Sequence, residues 1–168
     1  MRNSASDGGN GAARNDRRLS GVQSRLSAIV RHRRRLKEIR PRVLVGQFGG
    51  AVGTLASLGD NGLAVHDALM AELGLGSSPM PWHVGRDSLA ETVSALALIT
   101  GSLAKIATDI MLLMQTEVGE AFEPFEEGRG SSSTMPQKRN PIACELIIAA
   151  ASNVRQHAGL MFDAVAAD

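Results

Sequence analysis

Residues 88–117, SLAETVSALALITGSLAKIATDIMLLMQTE, decide the fold of this chain. Apolar and small residues recur there at steps of three and four, which predicts a helix with a seam for packing against other helices. Between Glu91 and Glu117 the only charged residues are Lys105 and Asp109, so we expect this helix to be buried on most sides. The seam consists of Leu89, Val93, Leu96, Thr100, Leu103, Ala107, Ile110 and Met114.

The rest of the chain also has helical periodicity. Residues 141–165 repeat the apolar pattern, and further helices are predicted over 26–39 and about 61–73, with Pro41 ending or kinking the first of them. Ser88 and Glu91 form a capping-box pattern. Two long, nearly uncharged helices cannot both be covered within 168 residues, so we expect partner helices from other subunits. The sequence predicts an all-α fold, a bundle of long helices.

Charge is unevenly distributed along the chain. Residues 14–42 hold eleven Arg or Lys against two acidic residues, a local charge of +9, whereas residues 43–168 sum to −8. The arginine run at 31–35 would suit a nucleic-acid-binding arm. Apolar residues at helical spacing among the arginines, without aromatic residues for base stacking, favour the solvated face of an amphipathic helix instead. We therefore expect no nucleic-acid partner.

Membrane, metal and redox signals are weak in this sequence. No apolar run approaches the ~20 residues that a membrane span needs, and the N-terminus has no apolar core of a secretory signal. The single Cys144 excludes an internal disulfide and is expected to pack as a small apolar residue in a cytoplasmic protein. His66 is expected on a helix surface and His83 in a loop, neither with metal-ligand spacing. We expect no cofactor, no metal and no membrane partner.

Residues 1–24 differ in composition from the rest of the chain. They are polar, rich in Gly and Ser and without periodicity, which is typical of a disordered tail. We therefore divide the chain into a tail, 1–24, and a partial helical-bundle domain, 25–168.

Residues 130–141, GSSSTMPQKRNP, carry the functional signal. The serines and Pro136 predict a loop, after which Asn140 and Pro141 would be the N-cap and the first residue of the last helix. A helix N-terminus offers free N–H groups and a partial positive charge, so this end is a candidate site for a carboxylate or phosphate. A Ser-rich loop is also a common connector, and the residues alone leave both interpretations open.

The ten residues 132–141 fit the pattern Ser-Ser-x-Met-Pro-x-Lys-x-Asn-Pro, which resembles the signature loop of the fumarase/aspartase superfamily. Ser131 stands where the family commonly has glycine. Residues 47–56, QFGGAVGTLA, and 81–83, PWH, are similar to the 3-carboxy-cis,cis-muconate cycloisomerase branch. Adenylosuccinate lyases share the Gly-Ala-Val-Gly-Thr and Arg-Asp parts but not the Phe-Gly-Gly and Trp-His parts. The likeness runs from about residue 26 to the C-terminus.

This resemblance implies a set of roles for the loop. Ser132 would be the catalytic residue that handles the transferred proton, and Lys138 and Asn140 would hold substrate carboxylates. Ser133, Thr134 and Met135 would complete the substrate-binding loop. Family members are longer, three-domain homotetramers whose active sites combine segments of different subunits and take a small polycarboxylate.

The resemblance also bears on what this chain can do. We expect it to be a piece of the central helical domain, from a truncated or frame-shifted gene or an alternative start, and inactive alone. Lactonisation of 3-carboxy-cis,cis-muconate in protocatechuate breakdown is the favoured function. The alternatives are an adenylosuccinate-lyase-like C–N lyase and an inactive helical fragment that only oligomerises.

Overall fold

The computed structural model describes residues 7–78, 80–124 and 139–167, with side chains from residue 21 onward. The helices are α1 (Asp7–Val43), α2 (Gly62–Leu73), α3 (Asp87–Met114) and α4 (Ile142–Val165), and a short 3₁₀ helix (Ala56–Asn61) precedes α2. An isolated parallel bridge joins Val45 and Gly76. The all-α prediction is confirmed.

Helices α3 and α4 form an antiparallel pair that contains most of the buried side chains. At one end of the pair, the Arg86 guanidinium donates to the Ala164 carbonyl at 2.8 Å and to the Ala167 carbonyl at 2.5 Å. The buried residues of the two helices are small, which allows a close approach of their backbones. They are Ala90, Ala95, Ala104 and Ala107 on α3, and Cys144, Ala151 and Ala158 on α4.

The predicted seam of α3 is only partly buried within this chain. Ala107 belongs to it and is 1% exposed, but Leu89 and Leu96 are each 45% exposed. The alanine line, offset from the leucines around the helix, makes the contact with α4 because small side chains let the two axes come closer. Most of the bulky apolar surface of α3 therefore has no cover from the described residues.

Helix α1 lies antiparallel along α3, and polar contacts set its register. Arg25 Nη2 donates to Asp109 Oδ2 at 2.7 Å, and His32 Nε2 lies 2.7 Å from Ser102 Oγ. Hydrogen bonds from Lys105 and Arg25 hold the pKa of Asp109 below its usual value, although partial burial opposes them. These contacts explain why polar residues interrupt the apolar surface of α3.

His32 is the most buried polar residue of the α1–α3 contact, at 6% exposure. The guanidinium of Arg35 lies 3.2 Å from Nδ1 and can only donate, so Nδ1 accepts and the Nε2–H donates to Ser102. Burial lowers the pKa of His32, and the charges of Arg35 and Arg31 lower it further. The ring is therefore held in its neutral form.

The two ends of α1 differ from the sequence expectations. The helix begins at Asp7, so it includes most of the segment 1–24 that we expected as a disordered tail. Ala12, Ala13 and the following arginines are good helix formers and extend the helix backward despite the glycines around them. At the other end α1 continues two residues past Pro41 before it ends at Val43.

The start of α3 also differs from the capping-box prediction. The helix begins at Asp87, and Arg86 is its N-cap residue, without a side-chain cap. Glu91 does not reach back to Ser88, because its carboxylate pairs with the guanidinium of Arg42 on α1. A charge-assisted, two-point pair competes well against a neutral capping contact.

Helix α3 is long and apolar enough, by length and composition, to cross a membrane. The expectation that no stretch reaches this length was wrong, because Ser, Thr and Gly interrupt the apolar run but lower the mean hydropathy little. One such helix is weak evidence, since core helices pass the same test. The exposed leucines of α3 also fit helix–helix packing.

Candidate functional site

Most of the predicted site residues lie outside the described part of the chain. This applies to Ser132, Ser133, Thr134, Met135 and Lys138. Asn140 is described; it is half-buried, and its carbonyl accepts the Ile142 N–H at 3.0 Å. The geometry around Asn140 therefore shows how the segment that follows the serines joins α4.

The N-terminus of α4 is not the open anion site that the sequence predicted. Pro141 rather than Asn140 is the N-cap residue, and no side chain caps the helix from that position. Instead, the Glu123 carboxylate accepts the Ala143 N–H at 3.1 Å and the Cys144 N–H at 2.9 Å. The positive end of the helix dipole does bind an anion, but that anion is a side-chain carboxylate of the same chain.

Sequence reasoning missed Glu123 altogether. It lies 20 residues before Ala143, beyond the reach of any local capping pattern. Burial raises the pKa of Cys144 to about 11, and the adjacent Glu123 carboxylate contributes to the rise. The thiol is therefore protonated at neutral pH and unsuited to act as a nucleophile.

A wide cavity of about 1170 Å³ lies between the C-terminal end of α3 and the start of α4. Arg139, the residue after Lys138, lines it with its guanidinium carbon 5.8 Å from the centre of the Phe122 ring. Glu145, in the first turn of α4, lines the same cavity. The chain thus presents one cation and one anion beside the segment that carries the predicted site.

A second cluster joins the other two segments that the sequence singled out. The side-chain carbonyl of Gln47 accepts the Trp82 N–H at 3.0 Å, and its amide nitrogen contacts Nδ1 of His83. Gly49 and Gly53 allow this approach, because a Cβ at either position would lie 3.3 Å or less from a Pro81 carbon. The glycine-rich segment and the Pro-Trp-His segment therefore form one structural unit.

His66 on α2 faces the interior, where it is 4% exposed, so its expected position on a helix surface was wrong. It shares the buried side of α2 with Gly62 and Met70, four residues before and after it, as helical geometry requires. Its Nδ1 lies 3.3 Å from the Ser77 hydroxyl. A cavity of about 320 Å³ lies beside it and extends to Gln47.

No group of three or more His, Cys, Asp and Glu side chains among the described residues could hold a metal ion. The described site includes the charges of Arg139, Glu145 and Glu123 beside the helix termini. Such groups can orient carboxylates and protons.

The two clusters lie at opposite ends of the α3–α4 pair. The Trp82–His83 segment precedes the start of α3, whereas Glu123 and Arg139 lie beyond its end. At 1.5 Å per residue, the 28 residues of α3 separate these ends by about 40 Å. The length of α3 therefore separates the two clusters within one copy.

Comparisons with known proteins agree with the motif. A family model described as Lyase matches residues 18–156. The 3-carboxy-cis,cis-muconate cycloisomerase of Pseudomonas aeruginosa is 54% identical over 148 residues, covering 88% of this chain and 32% of that protein. Trans-aconitate decarboxylase 1 of Mycosarcoma maydis is 54% identical over 143 residues, covering 85% of this chain and 29% of that protein.

The fold has the same relatives. The crystal structure of 3-carboxy-cis,cis-muconate lactonizing enzyme from Pseudomonas putida superposes with a TM-score of 0.78 at 50% identity, covering 86% of this chain and 32% of that one. This chain spans about a third of the length of these relatives. The family match begins before residue 26, where the sequence likeness was expected to start. The chain belongs to the lyase family of the fumarase/aspartase superfamily, as residues 132–141 predicted.

Proposed function

We propose that this chain is a segment of a 3-carboxy-cis,cis-muconate cycloisomerase. The observation that carries the proposal is the contact of Gln47 with Trp82 and His83. These residues belong to the two segments in which the sequence resembles the cycloisomerase branch rather than adenylosuccinate lyases. The 54% identity with the Pseudomonas aeruginosa cycloisomerase supports the same choice.

In this reaction a carboxylate oxygen of the substrate adds to a carbon of its own C=C bond, and the neighbouring carbon takes a proton. Ser132 donates that proton and is reprotonated from solvent. A hydroxyl needs an electropositive, pre-organised pocket for such a role. Lys138 and Asn140 hold the substrate carboxylates, with Ser133, Thr134 and Met135 shaping the loop around them.

The contact of Glu123 with the N-terminus of α4 limits which groups can bind the substrate carboxylates. Because the Ala143 and Cys144 N–H groups already donate to Glu123, they do not serve the substrate. We therefore assign the substrate carboxylates to the loop before α4, where the ammonium of Lys138 makes the strongest contact. We expect Lys138→Met to weaken substrate binding as well as turnover.

The complete site combines segments of different copies of the chain. Helix α3, about 40 Å long, lies between the Gln47–His83 cluster and the α4 start in one copy, so we infer that each meets the other through a neighbouring copy. The exposed leucines of α3 and α4 offer the surface for that association; Leu96, Leu98, Leu112, Leu146 and Leu160 are each 45–63% exposed. A homotetramer, as in the family, satisfies this requirement.

A pair of chimeras tests the proposal. Residues 21–167 replace the matching segment of the Pseudomonas aeruginosa cycloisomerase in one chimera and of the Mycosarcoma maydis decarboxylase in the other. We expect the first to lactonise 3-carboxy-cis,cis-muconate, measured as a change in ultraviolet absorbance, and Ser132→Ala to lower its turnover by orders of magnitude. An oligomeric chimera that consumes adenylosuccinate instead would overturn the choice, and one inert toward every substrate would favour a purely structural segment.

The decarboxylase is a second candidate because its identity to the chain is equal, at 54%. Decarboxylation would break a C–C bond and leave the electron pair on the carbon beside a carboxylate, which then takes up a proton. A serine donor serves that step as well. Turnover of trans-aconitate by the second chimera, with no lactonisation by the first, would favour this function.

A further inference from the structure

Glu123 makes a two-point contact with the first turn of α4. Its Oε2 accepts the Ala143 N–H at 3.1 Å and its Oε1 accepts the Cys144 N–H at 2.9 Å. These are two of the four N–H groups that a helix leaves unpaired at its start. A carboxylate here also suits the positive end of the helix dipole, and the side chain is half-buried.

Phe122, the residue before Glu123, contacts the segment that leads into α4. The ring of Phe122 lies under the guanidinium of Arg139, at 5.8 Å. Two consecutive residues thus hold the chain just before and just after Asn140 and Pro141. Glu123 and Ala143 are 20 residues apart in sequence, so this contact joins the connection that follows α3 to the start of α4.

We propose that Glu123 is a positioning residue that fixes where the serine-bearing segment enters α4. It acts through the helix start, on the placement of Arg139 and Asn140, and does not itself touch substrate. Its effect on catalysis rests on the proposed function. Its effect on α4 does not, so the two can be tested separately.

Cys144 reports on this contact in the 168-residue chain because it is the only cysteine of the sequence and is buried. We expect Glu123→Ala to raise the rate at which a neutral disulfide reagent modifies the thiol by about tenfold, as loss of the cap lets the first turn open. Glu117→Ala is the matched control, since it removes an exposed charge from the same connection. It should leave the rate unchanged.

Glu123→Gln separates the charge of this residue from its shape. The amide keeps one acceptor oxygen, so the rate should lie between those of the wild type and Glu123→Ala. The pH at which the thiol becomes reactive should fall, because the Glu123 charge helps to raise the pKa of Cys144. A residue that only filled space would not move this pH profile.

Equal rates in Glu123→Ala and the wild type, or an unchanged pH profile in Glu123→Gln, would overturn the proposal. If circular dichroism shows that Glu123→Ala unfolds, the Glu123→Gln profile and amide hydrogen exchange over 143–147 decide instead. In the cycloisomerase chimera, Glu123→Gln should lower kcat more than it changes KM. An inactive parent chimera with the expected Cys144 results would contradict only the proposed function.

Discussion

Gly53 and Gly50 form a matched pair that tests the joined Gln47–His83 cluster. Both have left-handed backbones, with φ of +78° and +70°. A Cβ added at Gly53 would lie 2.8 Å from Pro81 Cγ, whereas one added at Gly50 would meet nothing within 4 Å. Carbon atoms pack best at about 3.5–4.0 Å, so only the first substitution forces Pro81 to move.

The two substitutions should therefore differ in the free energy of unfolding. An alanine in the left-handed region costs about 1–2 kcal/mol at either position. Gly53→Ala adds an overpacking term of about 1–3 kcal/mol. We expect total losses of about 2–5 kcal/mol for Gly53→Ala and about 1–2 kcal/mol for Gly50→Ala.

Urea unfolding at one fixed protein concentration measures this difference, because association contributes to the stability of an oligomer. Trp82 is the only tryptophan of the sequence and follows Pro81, so its fluorescence reports on the cluster while circular dichroism reports on the helices. Gly53→Ala should also shift the emission of the folded protein, and Gly50→Ala should not. Equal losses with unchanged emission in both variants would refute the contact between Gly53 and Pro81.

Three further predictions follow from the polar contacts and the two separated clusters. Because folding lowers the pKa of His32, its contribution to stability is present above pH 6.5 and is lost as the pH falls below that unfolded value. His32→Gln should therefore flatten the dependence of the free energy of unfolding on pH between about pH 7.5 and 5. His157→Gln, at an exposed position, should not. Asp109→Asn should lower the free energy of unfolding in urea by about 1–2 kcal/mol at pH 7, whereas Asp163→Asn, at an exposed position, should change it little. This loss should disappear as the pH falls below 3.8 and through the lowered pKa of Asp109. An equal loss at pH 3 and pH 7 would contradict the pairing with Arg25. The 168-residue chain alone should be helical and associated in light scattering but should not turn over 3-carboxy-cis,cis-muconate, and a monomer that does so would show that one copy completes the site.

The existence of α3 and α4 could be predicted from the sequence because their apolar periodicity is long and almost free of charge. The face of each helix that contacts the other could not be predicted. Leucines dominate the pattern, yet the helices meet along alanines such as Ala107 and Ala151, which are 1% and 0% exposed. Periodicity shows that a face is apolar, but the approach distance of two helices selects which of several apolar lines is buried first.

The candidate site could likewise be predicted from the sequence only in part. Residues 132–141 identified the family because ten positions of mixed chemistry stand in one register. The cap on α4 was assigned to Asn140 because capping rules describe local contacts, whereas the structure uses Glu123 from a segment 20 residues away. His66 was misplaced for a related reason: a single histidine in a short helix gives no sign of which side faces the interior, and Ser77 provides that polar contact from beyond the helix.

Polar contacts and exposed apolar surface occur on the same helices of this chain. Within the described residues, three polar contacts join separate segments of one copy: Arg25 with Asp109, Arg42 with Glu91, and Glu123 with the start of α4. Its large apolar side chains remain largely uncovered on the same helices, with Leu26, Leu146 and Leu160 at least 60% exposed. Polar contacts therefore fix the register of the helices within a copy, and we propose that the exposed apolar area serves contact between copies. In the oligomer that we propose, association of copies along these helices would bring a Gln47–His83 cluster of one copy near the α4 start of another. Under the proposed function, stability and the assembly of the active site would depend on the same surface.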